Sequence, residues 1–255
     1  MHTSIAAYHF VAIDDAGTVA EGVRGRAEAL GLLGTVLVAP EGINLFLAGD
    51  RGDVDAFLAW LRGDGRFAAI QVKYSRSRTK PFARLKVKLK PEIISFRRDG
   101  ASPLEGRAPA VPPADLARWI GQGADDAGRR LVLLDTRNRE EVAHGTFAGA
   151  LVLPIDNFTE LPAALEPHRE ALADATVVGF CTGGIRCEKA VNWMRSEGFG
   201  DVLQLDGGIL GYFEAVGGLG YEGGCFVFDE RIALDPALRA DADADDLPGV
   251  AAATG

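Results

Sequence analysis

The sequence predicts two domains of different fold class: an α+β domain followed by an α/β domain with a mostly parallel sheet. Up to residue 98, the apolar patterns follow the order strand, helix, strand, strand, helix, strand. After residue 113, short uninterrupted apolar runs alternate with helix-like stretches, which is typical of a parallel sheet covered on both faces. Residues 99–113 contain four prolines and little apolar periodicity, so we expect an extended linker there.

The N-terminal domain, residues 1–98, has the element order of a ferredoxin-like sandwich. Helices are predicted over 18–32 and 52–61. Strands are predicted over residues 4–13, 34–38, 43–48 and 69–74. From 83 to 90, leucine and valine alternate with basic residues, which predicts a further strand with one face in the core and the other in water.

The second domain is placed at residues 114–220. Its buried strands are expected at the apolar runs 131–134, 150–153 and 176–180, and a helix-like stretch covers 161–172. Residues 221–255 form a C-terminal extension. From Asp241 onward this extension is rich in aspartate, alanine, proline and glycine, which predicts a flexible tail.

The overall composition is that of a globular protein, because 47% of the 255 residues are hydrophobic and 25% are charged. No apolar run reaches the roughly 20 residues of a membrane span, and no basic region precedes the first apolar stretch. We therefore expect a soluble, cytoplasmic protein. Three cysteines without a C-x-x-C pair, and four histidines without ligand spacing, argue against a disulfide framework and a metal site.

The charge is unevenly distributed along the chain. A net charge of −9, taken as a whole, argues against a nucleic-acid-binding protein. Residues 71–98 nevertheless hold ten basic side chains and one acidic one, so this segment carries +9 and the remainder carries −18. A polyanion site is a better interpretation than a solvated face, and its RNA-binding candidates are Lys73, Arg76, Arg78, Lys80, Arg84, Lys86, Lys88 and Lys90. Tyr74, Phe82 and Phe96 either stack on unpaired bases or belong to the core.

The most informative segment runs from Val177 to Ala190, where a buried strand leads into a short glycine-containing loop and then a helix. Cys181 lies at the mouth of this cradle, where backbone N–H groups and the positive helix end lower a thiol pKa and hold an anion. Arg186 adds a fixed positive charge. The candidate catalytic residues are therefore Cys181 and Arg186, and the loop between them comprises Thr182, Gly183, Gly184 and Ile185.

Other polar residues have two open interpretations. Asp135 and Arg137 follow a buried strand, at the edge where α/β sheets bind ligands. They either orient the cysteine loop or contact substrate, or they form a structural ion pair. Glu41, Gly42 and Asn44 lie at a turn and are either ordinary turn residues or substrate contacts.

The remaining two cysteines are expected to be structural. Cys187 falls on the apolar face of the predicted helix, together with Ala190, Val191 and Met194. Cys225 has aromatic neighbours and is interpreted as part of the core.

The cysteine loop resembles the active-site loop of the rhodanese family, with Cys181 and Arg186 at matching positions. Asp135-Thr136-Arg137, with Glu140, Glu141 and the stretch His144-Gly-Thr-Phe-Ala-Gly-Ala150, resembles the upstream signature of that family. The loop is shorter than that of related phosphatases, which disfavours a phosphatase.

A narrower resemblance covers nearly the whole chain. It is carried by Cys181-Thr-Gly-Gly-Ile-Arg-Cys-Glu-Lys-Ala190, Glu41-Gly-Ile-Asn44, Leu205-Asp-Gly-Gly-Ile209 and Gly224-Cys-Phe-Val-Phe-Asp229. Together these motifs are similar to the rhodanese-domain tRNA uridine hydroxylases. The resemblance implies an acylphosphatase-like domain of the ferredoxin-like type, followed by a rhodanese domain.

The resemblance also implies an activity: conversion of the wobble uridine of tRNA to 5-hydroxyuridine, with molecular oxygen as co-substrate and no further cofactor evident. Cys181 would act as a thiolate or persulfide, and the anticodon loop of tRNA would be the partner. One alternative is a sulfurtransferase that passes persulfide sulfur from Cys181. Another is a non-catalytic RNA-binding or regulatory module that retains the rhodanese shell.

Overall fold

The computed structural model describes residues 1–227 and 231–239. Its N-terminal domain is a five-stranded sheet with two helices on one face. In chain order the elements are β1 (His2–Phe10), α1 (Ala16–Ala29), β2 (Leu33–Ala39), β3 (Gly42–Gly49), α2 (Arg51–Arg62), β4 (Gln71–Ser77) and β5 (Leu85–Leu89). The strand order β4-β1-β3-β2-β5, with only the β2–β5 pair parallel, confirms the predicted ferredoxin-like arrangement and adds β5 at one edge.

Strand alternation separates the two faces of this sheet. Ile5, Val36 and Leu45 point to the helices and form the core with Val23 of α1 and Phe57 of α2. Residues paired directly across strands share a face, so the opposite face carries one row of side chains from edge to edge. That row is Gln71, Tyr8, Asn44, Leu37 and Lys88.

The basic segment does not form one continuous face. β4 and β5 are the two opposite edges of the sheet, with three strands between them. The predicted burial of β5 is correct for Val87, which is 7% exposed, and wrong for Leu89, which is 57% exposed. Leu89 is the last residue of this edge strand and does not belong to the core cluster that includes Val87.

The second domain contains a parallel sheet in the order β6-β11-β10-β7-β9. Apolar side chains cover both faces, as the uninterrupted apolar runs predict. Its elements, with the C-terminal strands, are β6 (Ala110–Val111), α3 (Pro113–Gln122), β7 (Arg130–Asp135), α4 (Arg139–Val142), β8 (Gly145–Phe147), β9 (Leu151–Val152), α5 (Leu161–Leu165), α6 (Arg169–Leu172), β10 (Ala175–Phe180), α7 (Ile185–Ser196), β11 (Asp201–Leu205), α8 (Gly208–Val216), β12 (Tyr221–Gly223), β13 (Cys225–Phe226) and β14 (Ala233–Leu234).

The stretch 161–172, expected as one helix-like run, is divided into α5 and α6 by a 3₁₀ turn at Glu166–His168. Pro167 lies in this turn, and proline interrupts a helix because it lacks the backbone N–H. Among the helices of the described residues, none combines the length and apolar character required to cross a membrane.

Residues 99–113, predicted as a linker, pack against the second domain. Ala101 and Ala108 are buried in its core, and β6 pairs with β11. Phe96 is 1% exposed and stacks on Phe158 with ring centroids 4.6 Å apart, so it is a core residue and offers no surface to a base. The prolines favour an extended backbone, and this backbone follows the domain surface instead of spanning a gap.

The C-terminal extension packs onto the second domain as far as it is described. β12 pairs with β8, β13 pairs with β14, and Cys225 is fully buried in the core. The tail predicted from Asp241 onward lies outside the described residues, as does Phe228 of the C-terminal motif.

A buried lysine joins the two domains. The Nζ atom of Lys189, on α7, lies 2.8 Å from carboxylate oxygens of both Glu41 and Glu92. It also donates to the carbonyl oxygen of Ile94 at 3.0 Å, and the whole residue is 3% exposed. Glu41 is thus an interdomain anchor, and its carboxylate also accepts the backbone N–H of Ile93.

We expect Lys189→Ala to lower the free energy of unfolding by about 3 kcal/mol, because it leaves two carboxylates without their buried partner. The measurement is urea denaturation followed by tryptophan fluorescence. Lys90→Ala, which changes an exposed lysine at the edge of the first domain, is the control and should cost less than about 0.5 kcal/mol. Equal effects of the two substitutions would contradict the anchoring role of Lys189.

Candidate active site

The Cys181 loop connects the end of β10 at Phe180 to the start of α7 at Ile185. Gly184 precedes the helix with φ +98°, a conformation that glycine adopts without strain. This geometry directs its backbone N–H to the Cys181 Sγ atom, 3.2 Å away. Cys181 itself is completely buried in this conformation.

The surroundings of Cys181 favour its ionised form. Burial raises the thiol pKa, but the Cys187 thiol hydrogen bond, the Arg186 charge and the N–H groups of Arg186 and Gly184 outweigh it and lower the pKa to about 5. Burial and the neighbouring Cys181 hold the Cys187 pKa well above its usual value. Of the two thiols, Cys181 is therefore the one whose surroundings favour ionisation, with Cys187 as the hydrogen-bond donor beside it. Cys187 is buried as expected, but it also forms a hydrogen bond with the Cys181 sulfur.

Arg186 is held by a buried carboxylate that the sequence did not single out as a site residue. Glu141 binds both terminal nitrogens of Arg186, at 2.5 and 2.6 Å, and both residues are at most 5% exposed. Burial raises the Glu141 pKa, but the bonds and charge of Arg186 outweigh it, and the pKa is lowered. Glu141 also accepts the backbone N–H of Asn138 at the start of α4. The signal in the sequence was its place in the rhodanese-like signature.

A second glycine-containing turn, at residues 205–209, binds the backbone of the Cys181 loop. The backbone N–H groups of Ile209 and Leu210 donate to the carbonyl oxygens of Cys181 and Thr182, at 2.9 and 3.0 Å. A Cβ on Gly208 would lie 2.5 Å from the Cys181 carbonyl oxygen, so this close approach requires glycine. The motif at 205–209 therefore fixes the backbone that carries the sulfur.

Cys181 and Arg186 line a cavity of about 350 Å³ between the two domains. The first domain contributes the helix-free face of its sheet, including Tyr8, Asn44 and Phe46. A Cβ on Gly184 would lie 2.9 Å from the Tyr8 hydroxyl oxygen, so this wall closely approaches the cysteine loop. The second domain adds Arg107, Glu188 and Asp206, and Glu188 is buried and bonded to Arg107 at 2.9 Å. Sequence patterns identified neither Tyr8 nor Glu188 as site residues.

Asp135 and Arg137 form a structural ion pair, one of the two interpretations left open by the sequence. Both are fully buried, and an Arg137 terminal nitrogen lies 2.7 Å from Asp135 Oδ2 and 2.6 Å from the Gly145 carbonyl oxygen. Asp135 also accepts the Thr146 hydroxyl at 2.7 Å. Neither residue lines the cavity of Cys181.

The predicted RNA-binding residues do not lie together on one surface. Lys73 lines the Cys181 cavity and pairs with Glu214 at 2.9 Å. Arg84 and Lys86 line an open groove with His144 and Phe226. Lys86 and Lys88 share the helix-free sheet face with Phe46 and Asn44, but they lie at the sheet edge, two strands away from β3. The other predicted residues, Arg76, Arg78, Lys80 and Lys90, are exposed. Within residues 1–227 and 231–239, no three His, Cys, Asp or Glu side chains gather as a metal site.

The fold and the loop define a two-domain protein of the rhodanese class. Residues 2–93 match the family described as "UPF0176 acylphosphatase like domain", and residues 113–215 match "Rhodanese-like domain". The crystal structure of thiosulfate sulfurtransferase from Pseudomonas aeruginosa is 26% identical, with a TM-score of 0.36, over 46% of this chain and 20% of that one.

Two relatives match over most of their length. The tRNA uridine(34) hydroxylase of Xanthomonas euvesicatoria pv. vesicatoria is 68% identical over 96% of this chain and 99% of its own. The tRNA uridine(34) hydroxylase of Xylella fastidiosa is 63% identical over 92% of this chain and 91% of its own. The chain therefore belongs to the tRNA uridine(34) hydroxylase family.

We expect the double substitution Arg186→Gln with Glu141→Gln to raise the Cys181 pKa by about one to three pH units, because it removes the nearby positive charge. Changing both partners avoids leaving a buried carboxylate unpaired. The ultraviolet absorbance of the thiolate, followed during a pH titration, measures the shift. Glu140→Gln, at an exposed neighbouring position, is the control. A titration midpoint unaltered by the double substitution would show that Arg186 does not stabilise the thiolate.

Proposed function

We propose that this protein hydroxylates the wobble uridine in the anticodon loop of tRNA, using molecular oxygen and the Cys181 thiolate. The observation that carries the proposal is the Cys181 sulfur, which accepts the Gly184 N–H at 3.2 Å and lines a cavity of about 350 Å³ between two domains. This volume is near the lower end of small-molecule sites, about 300 to 1,000 Å³, and suits one nucleoside extruded from its loop. The names of the relatives support uridine at position 34 as the target.

The thiolate makes uracil C5 reactive toward oxygen. Addition of Cys181 sulfur to C6 forms a C–S bond and an enolate that places electron density on C5. Arg186, whose charge lies next to the sulfur, favours this anion. The enolate donates an electron pair to oxygen, and protonation gives a C5 hydroperoxide. Two equivalents of a thiol reductant then convert it to the C5 hydroxyl, water and a disulfide. Loss of the C5 proton and of Cys181 from C6 restores the double bond and releases 5-hydroxyuridine.

The helix-free face of the N-terminal sheet is proposed to bind the RNA backbone. Lys86 and Lys88 are exposed on this face, and Lys73 marks its other edge at the cavity. Phosphate contacts along this face would orient the loop so that one base reaches Cys181. The acidic remainder of the chain would disfavour RNA bound elsewhere.

Cys181→Ser should abolish the modification, because a serine hydroxyl is far less ionised and less nucleophilic than this thiolate. The test is mass spectrometry of nucleosides from the tRNA of cells in which the variant is the only copy. Cys225→Ala is the matched control, since Cys225 is buried, has a pKa raised by burial to about 12, and lies outside the cavity. Wild-type levels of 5-hydroxyuridine derivatives with Cys181→Ser would refute the assignment. If purified protein still modified tRNA when oxygen was excluded, the result would favour a persulfide sulfurtransferase, because sulfur transfer does not require oxygen.

Changing Lys86 and Lys88 together to Glu should weaken tRNA binding and flatten its dependence on salt, because fewer counterions are released. The affinity should be measured at several salt concentrations, and each lost phosphate contact should reduce the slope by about one. Arg51→Glu with Arg62→Glu makes the same change of charge on α2, which covers the opposite face of the sheet. Equal losses from both double substitutions would argue for a general charge effect and against binding at this face.

A further inference from the structure

The cavity wall contributed by the N-terminal domain carries two amides, Asn44 and Gln71, beside aromatic rings, and of these two Asn44 is the buried one. Tyr8 and Asn44 are paired directly across β1 and β3, and Phe46 lies two residues further along β3. All three therefore share the helix-free face, and all three line the cavity that contains Cys181. The Tyr8 ring contacts Phe10 edge-on at 5.9 Å, which helps to fix its position. A planar base in the cavity would find aromatic surface and an amide on one wall.

The Asn44 amide is oriented by a bond to the protein. Its Nδ2 atom donates to the carbonyl oxygen of Ile93 at 3.3 Å, and Ile93 is fully buried. One N–H of the amide is thus occupied and sets its orientation, and Oδ1 is an acceptor on a residue that is only 8% exposed. Within the described part of the chain, no side-chain or backbone group donates a hydrogen bond to this oxygen.

We propose that Asn44 selects uracil over cytosine by accepting a hydrogen bond from the N3–H of the base. This inference rests on the function proposed above and adds a residue that reads the base. Uracil carries a proton at N3, whereas cytosine presents a lone pair there. Cytosine would therefore place two acceptors against each other in a confined site, which disfavours its binding by about the free energy of one hydrogen bond.

The neighbouring contacts make Asn44 suitable for this role. Ile93 follows the basic strand and is also bonded, through its N–H, to the carboxylate of Glu41 at 2.7 Å. Glu41 pairs in turn with Lys189 on α7. A series of polar contacts through Ile93, Glu41 and Lys189 therefore connects the segment that orients the Asn44 amide to the helix that follows Cys181.

The test compares binding of two anticodon stem–loop RNAs that differ only in uridine or cytidine at the wobble position. Binding to the full-length protein is measured by fluorescence anisotropy with oxygen excluded, so that no turnover occurs. We expect the wild type to prefer the uridine RNA by roughly 3- to 10-fold. Asn44→Ala should bring this ratio close to one. Asn192→Ala should retain it, because Asn192 also donates to a backbone oxygen, that of Gly106, but lies away from the cavity.

Asn44→Asp separates base reading from a purely structural role. Aspartate can accept the N3–H but cannot donate to the Ile93 carbonyl, so the uridine preference should persist in this variant at neutral pH. Three results would overturn the proposal. The first is a wild type without a uridine preference, and the second is a preference that persists in Asn44→Ala. The third is a preference that disappears equally in Asn44→Asp and Asn44→Ala. Thermal unfolding confirms that each variant is folded.

The two proposals fail in different ways. Wild-type protein that produces no 5-hydroxyuridine in tRNA when oxygen and a thiol reductant are supplied would contradict the proposed function. Wild-type protein that hydroxylates the RNA, with a uridine preference that does not depend on Asn44, would contradict only the base-reading role.

Discussion

A buried negative charge on the Cys181 sulfur is the constraint on which the site depends. Such a charge is costly away from water unless hydrogen bonds and an opposite charge compensate it. The compensation comes from the N–H groups of Gly184 and Arg186, the Cys187 thiol and the Arg186 guanidinium. These groups can converge only because Gly184 adopts a positive φ and Gly208 allows a second turn to approach the loop backbone.

The positive charge of Arg186, next to the sulfur, is also costly to bury away from water. The guanidinium is buried too, and Glu141 binds its two terminal nitrogens with two parallel bonds. Glu141 is positioned in turn by the start of α4, which follows the buried pair of Asp135 and Arg137 at the end of β7. Glu141 and Arg186 thus act on the sulfur through one another, whereas Asp135 and Arg137 form a structural pair that does not reach the cavity.

The cavity is a product of the domain arrangement. The rhodanese domain supplies the sulfur, while the ferredoxin-like sheet supplies the opposite wall and leaves its helix-free face for a ligand. Lys189 lies on the helix that follows the cysteine loop and binds two carboxylates of the N-terminal segment. One helix therefore fixes both the position of the sulfur and the position of the wall that faces it. A buried lysine with two carboxylate partners is well suited to set this geometry.

Local pattern in the sequence determined the element order, the parallel character of the second sheet and the loop from Cys181 to Arg186. These features depend on neighbours within a few residues, where strand alternation, helical spacing and glycine content are readable. The same reasoning placed Phe96 among possible stacking residues. It also treated 99–113 as a linker, because a proline-rich extended segment has the same sequence pattern whether it crosses a gap or packs on a domain. Only the tertiary structure decided that Asp135 and Arg137 are a structural pair, that Glu141 holds Arg186, and that the basic segment is divided between opposite sheet edges. It also placed Tyr8 and Asn44, from the other domain, in the cavity that Cys181 lines, an arrangement of distant residues that local periodicity does not encode.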